Sequence, residues 1–176
     1  MTNYRRDRMM GGSYFFTVNL LDRQSHLLTR HIDELRNAFR QMTEKYPVQI
    51  DAMVVLPDHI HAIWTLADDD DNYSIRWQFF KALFSKNIPK EDQSRRSASR
   101  VKKRELGVWQ RRFWEHRIRG AKDLQRHIDY IHYNPVKHGH VARVRDWKYS
   151  TFHRDVKLGV YELGWSGGES VDLDVE

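Results

Sequence analysis

The chain has 176 residues, 30 Lys and Arg against 24 Asp and Glu, ten His and no Cys, for a net charge of +6 and a pI near 9.6. That length points to one domain, and 40% apolar residues with six Trp, eight Tyr and eight Phe exclude disorder throughout. The lack of Cys excludes a disulfide framework, a thiolate metal site and a Cys nucleophile, so any metal must be held by nitrogen and oxygen.

The first residues carry charge without a sustained apolar run and mean hydropathy is −0.78, so the reading has no signal peptide, no membrane span and a cytoplasmic protein. After Gly11-Gly12, the aromatic and β-branched run from Ser13 to Leu21 reads as a first strand. Ile32, Leu35, Phe39 and Met42 recur at three- and four-residue spacing, predicting a helix over 29–46 that Pro47 stops. Val48–Leu56 and His59–Leu66 read as two strands joined at Pro57-Asp58, a hairpin. Ser74 is the expected cap of a second helix that carries Ile75, Phe79, Phe80 and Leu83 and ends before Pro89. Phe113–Arg119 alternates as a fourth strand, with Trp114 read as core. Ala121–Tyr133 is a third helix, expected to stop at Asn134-Pro135. The rest, through Trp165, reads as loops and short pieces docked on the body. The order is the split βαβ pattern of a ferredoxin-like α+β domain: an antiparallel sheet of four to five strands with helices on one face.

Charge is segregated along this order. Lys86–Arg104 holds eight bases and two acids, a local excess equal to the whole net charge. Acid collects at Asp68–Asp71 and in the tail 169–176, which reads as solubilising disorder outside a domain over 1–168. A basic insertion over 86–104 fits a polyanion partner, although alone it is more often a solvated face.

His59 and His61 leave the same face of their strand, close enough to share one divalent ion. A bare His-x-His is more often two hydrogen-bonded structural histidines, and two ligands are too few, so a third must come from another element. On the third helix Leu124, Ile128 and Ile131 form the apolar stripe, and Asp123, His127, Tyr130 and Asn134 run beside it. At ~100° per residue Tyr130 and Asn134 lie ~40° apart and can face one site. Tyrosine can act as a covalent nucleophile, and a metal on the two histidines and Asn134 would polarise a phosphodiester beside it.

These residues resemble a family. PDHIHAIW is similar to the HUH motif of single-strand DNA nucleases, and YIHYNPVKHG to the tyrosine helix of single-tyrosine HUH transposases. NYRR, GGSYFFTVNLLDR, WQRRFWEHRIRG and DWKYSTFHRDV, in that order, resemble the REP-associated tyrosine transposases, and the likeness runs from Tyr4 to Trp165. The resemblance implies an HUH domain that binds a single-stranded DNA hairpin of REP type, cuts beside it and rejoins strands. It makes His59, His61 and Asn134 ligands of Mg2+ or Mn2+, and Tyr130 the nucleophile that forms a 5′-phosphotyrosine. In its light Arg95, Arg96, Arg100, Lys102, Lys103, Arg104, Arg111 and Arg112 are expected to neutralise hairpin phosphates, Tyr4, Arg5 and Arg6, which match the family's first block, to touch bases near the hairpin foot, and Trp109, Phe113 and Trp114 could offer stacking to unpaired bases. His127 and Glu115 are candidates for orienting the ligands or the tyrosine, the branch tends toward monomers, and the setting is the bacterial nucleoid. A catalytically silent hairpin-binding protein on the same fold is the alternative. An RNA-binding sheet is weaker, since no RNP-like block is present.

Overall fold

The computed structural model describes residues 6–93 and 97–167. The run of aromatic and β-branched residues at Ser13–Asn19 forms β1, whose five central residues are all buried. It lies inside a four-stranded sheet with β2 (Gln49–Val55), β3 (His59–Thr65) and β4 (Trp114–Arg117), in the order β2-β3-β1-β4, every pair antiparallel. Between β1 and β2 come α1 (Leu27–Arg30) and α2 (Ile32–Lys45), and between β3 and β4 come α3 (Tyr73–Asn87) and α4 (Ala98–Lys102). α5 (Ala121–Lys137) and α6 (Phe152–Lys157) follow β4.

Side-chain alternation divides the core in two. Tyr14, Phe16 and Val18 of β1 and Ile60, Ala62 and Trp64 of β3 pack on Leu35, Phe39 and Met42 of α2 and Trp77, Phe80 and Phe84 of α3. The Trp64 and Trp77 rings stack at 4.0 Å and 13°. Phe15, Ala52, Val54 and Ile63 point the other way and are covered by Tyr130 and Ile131 of α5. The ferredoxin-like order is as expected, but the helices are not all on one face. The connections through α2 and α3 both join strands of this sheet, and the right-handed rule for such connections places them together. α5 returns to no strand, so its apolar stripe was free to seek the second face, and β3 is buried on both sides.

Other boundaries shift for local reasons. The first predicted helix breaks at His31 into α1 and α2. Asn72, not Ser74, caps α3, its Oδ1 accepting from the Ile75 amide at 3.3 Å. α5 does not stop at Asn134-Pro135 but continues to Lys137, because Pro135 falls in the last turn, where the lost N–H removes only one bond. His138 and His140 amides close that end on the Asn134 and Pro135 carbonyls, with Gly139 in the left-handed conformation. Val144, Phe152 and Tyr161 pack with Tyr133 and Val136 of α5, so the C-terminal pieces dock as expected.

Arg104, at the end of α4, has φ of +56° where glycine is usual. Relieving a left-handed non-glycine residue, less the extra chain entropy of glycine, is expected to make Arg104→Gly more stable by roughly 0.5–1 kcal/mol. A rise in the urea midpoint at unchanged slope checks this.

Candidate active site

His59 and His61 rise from β3 on the α5 side, both buried, their ring centroids 4.8 Å apart and nearly perpendicular. Sheet register sets Thr17 beside His61, and Thr17 Oγ1 meets His61 Nδ1 at 3.0 Å in a buried hydrogen bond. His59 donates from Nδ1 to Asp58 Oδ1 at 2.7 Å, and its other ring nitrogen, Nε2, is a buried atom with no hydrogen-bond partner among the described residues. Burial pushes His61 well below its usual pKa, and the nearby charges of His59, His138, Arg23 and Lys137 act in the same direction, so it is neutral at pH 7. At Asp58 burial opposes ionisation, but the His59 hydrogen bond and the charges of His59 and Arg23 outweigh it and hold the carboxyl below its ordinary value.

α5 carries the other half of the site. The Tyr130 ring stands 5.3 Å from that of His61, edge to face, and Lys137 Nζ lies 4.8 Å from the tyrosine ring centre. Asn134, one turn on, is fully buried with neither amide oxygen nor nitrogen hydrogen-bonded among the described residues. Phe15 is the floor beneath, with ring centroids 5.4 Å from His61 and 5.9 Å from Tyr130. At the rim His138 stands 5.5 Å from His59, and Arg23 Nε reaches Asp58 Oδ2 at 3.0 Å. Thr17, Arg23, Asp58, Lys137 and His138 were not singled out from the sequence. All five sat inside quoted motifs, but their place at the site rests on tertiary contacts, for Thr17 the register of β1 on β3.

Not every expected residue joins. Glu115 points to the α3 face, buried, 3.4 Å from the Tyr73 hydroxyl and 3.9 Å from Arg6, because alternation on β4 sends it opposite to Trp114 and His116. His127 donates from Nδ1 to the Asp123 carbonyl at 2.8 Å, and His116 reaches Asp123 Oδ2 at 3.0 Å. Donor atoms of His116, Asp123 and His127 lie within 4.8 Å of one another, a spacing a metal ion can bridge, although here the three are bonded among themselves.

The basic residues lie elsewhere. Arg6, Arg100, Lys103, Arg104 and Arg111 line a cleft of about 610 Å³ beside α3. Arg100 and Arg111 are tied to Glu105 at 3.0 and 2.7 Å, while Lys102 and Arg112 are exposed. Tyr4, Arg5, Arg95, Arg96 and the acidic tail fall outside the described residues. Of the three aromatics considered for stacking, Trp109 is buried against Phe80 and Phe84, Phe113 packs on Phe16, and Trp114, expected in the core, is 42% exposed. β4 is an edge strand, and its first residue projects past the cover of α5.

A search with protein-family models gives no match. Among curated proteins the chain is 47% identical over 167 residues to the REP-associated tyrosine transposase of Escherichia coli K12, covering 95% of this chain and 92% of that one. A Haemophilus influenzae protein assigned to the same family is 51% identical over 173 residues, 98% of both chains. The chain belongs to the REP-associated tyrosine transposase family. A solved structure of the REP-associated tyrosine transposase bound to a REP hairpin superposes with a TM-score of 0.83 at 44% identity, over 99% of this chain and 96% of that one. The α+β sheet order described above is therefore the family's. Among the described residues no helix is long and apolar enough to cross a membrane.

Asp123 anchors the first turn of α5. Burial opposes its ionisation, yet the Arg119 amide, His116 and His127 hold its carboxyl below the ordinary 3.8. A depressed folded pKa gives stability that is complete above the ordinary value and lost as pH falls through the lower one. Asp123→Asn is expected to lower the Tm at pH 7, with the gap to wild type closing as pH drops below about 4.

Proposed function

We propose that this family member cuts and rejoins single-stranded DNA at hairpins of REP type, with Tyr130 as nucleophile and His59, His61 and Asn134 as the holders of Mg2+ or Mn2+. The observation that carries this is a set of buried polar atoms, turned to one point beside Tyr130, that have no hydrogen-bond partner among the described residues. His59 Nε2 and both amide atoms of Asn134 are shielded from solvent without a hydrogen bond among the described residues, at a cost of about 1–3 kcal/mol per group. Two imidazole nitrogens and an amide oxygen suit a divalent ion in a site without thiolates. When bound, the ion polarises the phosphodiester and stabilises the charge that develops on it.

The residues of the chain do the rest. Tyr130 gives up its phenolic proton and its oxygen attacks phosphorus. The bond from phosphorus to the 3′ oxygen breaks, that oxygen takes a proton, and a 5′-phosphotyrosine remains. The free 3′-hydroxyl reverses the step, or another end takes its place, with no outside energy source because the bond is stored in the adduct. Phe15 and the α5 packing hold Tyr130 beside the histidines, and Thr17 and Asp58 fix the imidazole orientations. Arg6, Lys103 and Arg104 of the cleft, with Lys102 and Arg112, neutralise DNA phosphates and make binding salt-dependent. The family membership and the hairpin-bound relative support this reading, which places a single-domain, monomeric protein at the bacterial chromosome.

An end-labelled hairpin oligonucleotide incubated with the protein and Mn2+ or Mg2+ is expected to give a covalent protein–DNA band on a denaturing gel. The band should vanish in Tyr130→Phe and persist in Tyr133→Phe; the opposite pattern, or no band in wild type, overturns the assignment. Thr17→Val is expected to weaken Mn2+ binding, read by calorimetry without DNA, by about 10- to 100-fold at unchanged circular dichroism. Wild-type affinity in that variant would remove Thr17 from the support of His61.

A further inference from the structure

Trp114 is the one aromatic among the exposed large hydrophobic side chains of the described residues. It is also held firmly. The edge of Phe15 meets it at 5.8 Å and 71°. Its ring is parallel to that of His116 within 8° at 6.1 Å, and His116 is parallel to His127 within 13° at 4.8 Å. Three rings thus stand in a column along β4 and onto α5, with Trp114 at the open end.

Register places that end beside the candidate active site. Trp114 lies opposite Thr17, and Thr17 lies opposite His61, so tryptophan and histidine share one row and one face of the sheet, two strand spacings or about 10 Å apart. β4 runs antiparallel to β1, so the side of Trp114 away from His116 is the side of Asn19, the partner of His59. A planar group laid there continues the column and keeps its attached phosphate within a nucleotide's reach of His59, His61 and Tyr130. A lone tryptophan beside polar neighbours is too small a patch for a protein partner, whereas one base is covered by one indole.

We propose that Trp114 is a stacking platform for one unpaired base of the DNA strand, the base adjoining the phosphodiester that Tyr130 attacks. The proposal rests on the nuclease reading above and adds to it a binding residue that sets where the strand is cut. Stacking tolerates any base, so Trp114 positions the strand and leaves the choice of sequence to other contacts. Its bracing by Phe15 and His116 means that little side-chain freedom is lost when a base arrives.

The test uses the full chain in a Tyr130→Phe background, so that cutting does not obscure binding. Hairpin oligonucleotides carry 2-aminopurine at each unpaired flanking position in turn, and its fluorescence is read on protein addition. Quenching at one position, lost in Trp114→Leu and largely restored in Trp114→Tyr, is expected. With Tyr130 intact, Trp114→Leu should form adduct with kcat/KM lowered about tenfold, and Trp114→Tyr should recover most of it. Equal quenching in Trp114→Leu, or adduct formation at the wild-type rate, overturns the platform. So does a dimer in sedimentation without DNA that disappears in Trp114→Leu, since a second copy would then be the occupant. Trp114-dependent quenching in a protein whose wild type forms no adduct upholds the platform and removes the nuclease reading.

Discussion

The site exists because α5 docks on the second face of the sheet, and Phe15 is where that docking is decided. Its ring, at the centre of β1, meets His61 of β3, Trp114 of β4, and both His127 and Tyr130 of α5. One side chain thus connects elements distant in sequence, with the histidines and the tyrosine above it. The packing also explains how polar groups survive there. Apolar contacts around Phe15, Ile63 and Ile131 hold the elements in place, so His59 Nε2 and the Asn134 amide need no hydrogen bond among the described residues.

Two faces of one sheet carry two kinds of chemistry. On the α5 side lie two imidazoles, an amide and a phenol, gathered at a buried point. On the α3 side, Lys81 is pushed down to about 8 by burial in the basic cleft, with Arg6 adding to the effect and Glu105 opposing it. The sheet separates the cationic surface from the candidate metal ligands, and so keeps those charges from competing with an ion for its place. β4 is where the faces meet, because consecutive residues of an edge strand look in opposite directions: Glu115 turns to Tyr73 of α3 and Trp114 to the face of Thr17.

Much of this was legible in the sequence where one periodicity governs one element. The spacing of Ile32, Leu35, Phe39 and Met42 foretold α2, and the His59 and His61 alternation foretold a shared face. The four-residue step from Tyr130 to Asn134 survives although α5 runs past Pro135, since the helix holds through both residues. What stayed hidden depends on a partner that no local pattern names. The α5 stripe does not say which face of the sheet it covers. Trp114 and a core tryptophan look alike until α5 is seen to stop short of one of them, and Glu115 passes for a surface carboxylate until Tyr73 and Arg6 are seen to bury it. The family motifs supplied the link between His59, His61 and Tyr130 that composition and periodicity left open.

The strand segment around Met53 and Val55 has a neighbour outside the sheet: Val55 and Thr151 amides donate to the Tyr149 and Met53 carbonyls, and the Thr151 hydroxyl accepts from the Met53 amide. That cover occupies the outer edge of β2. The other edge, β4, is only four residues long and is bracketed by Arg111, Arg112, Arg117 and Arg119. A sheet with one margin occupied and the other short and cationic offers little for a like margin to pair with. Such a protein can be concentrated, many copies side by side, without its sheets fusing into a fibre.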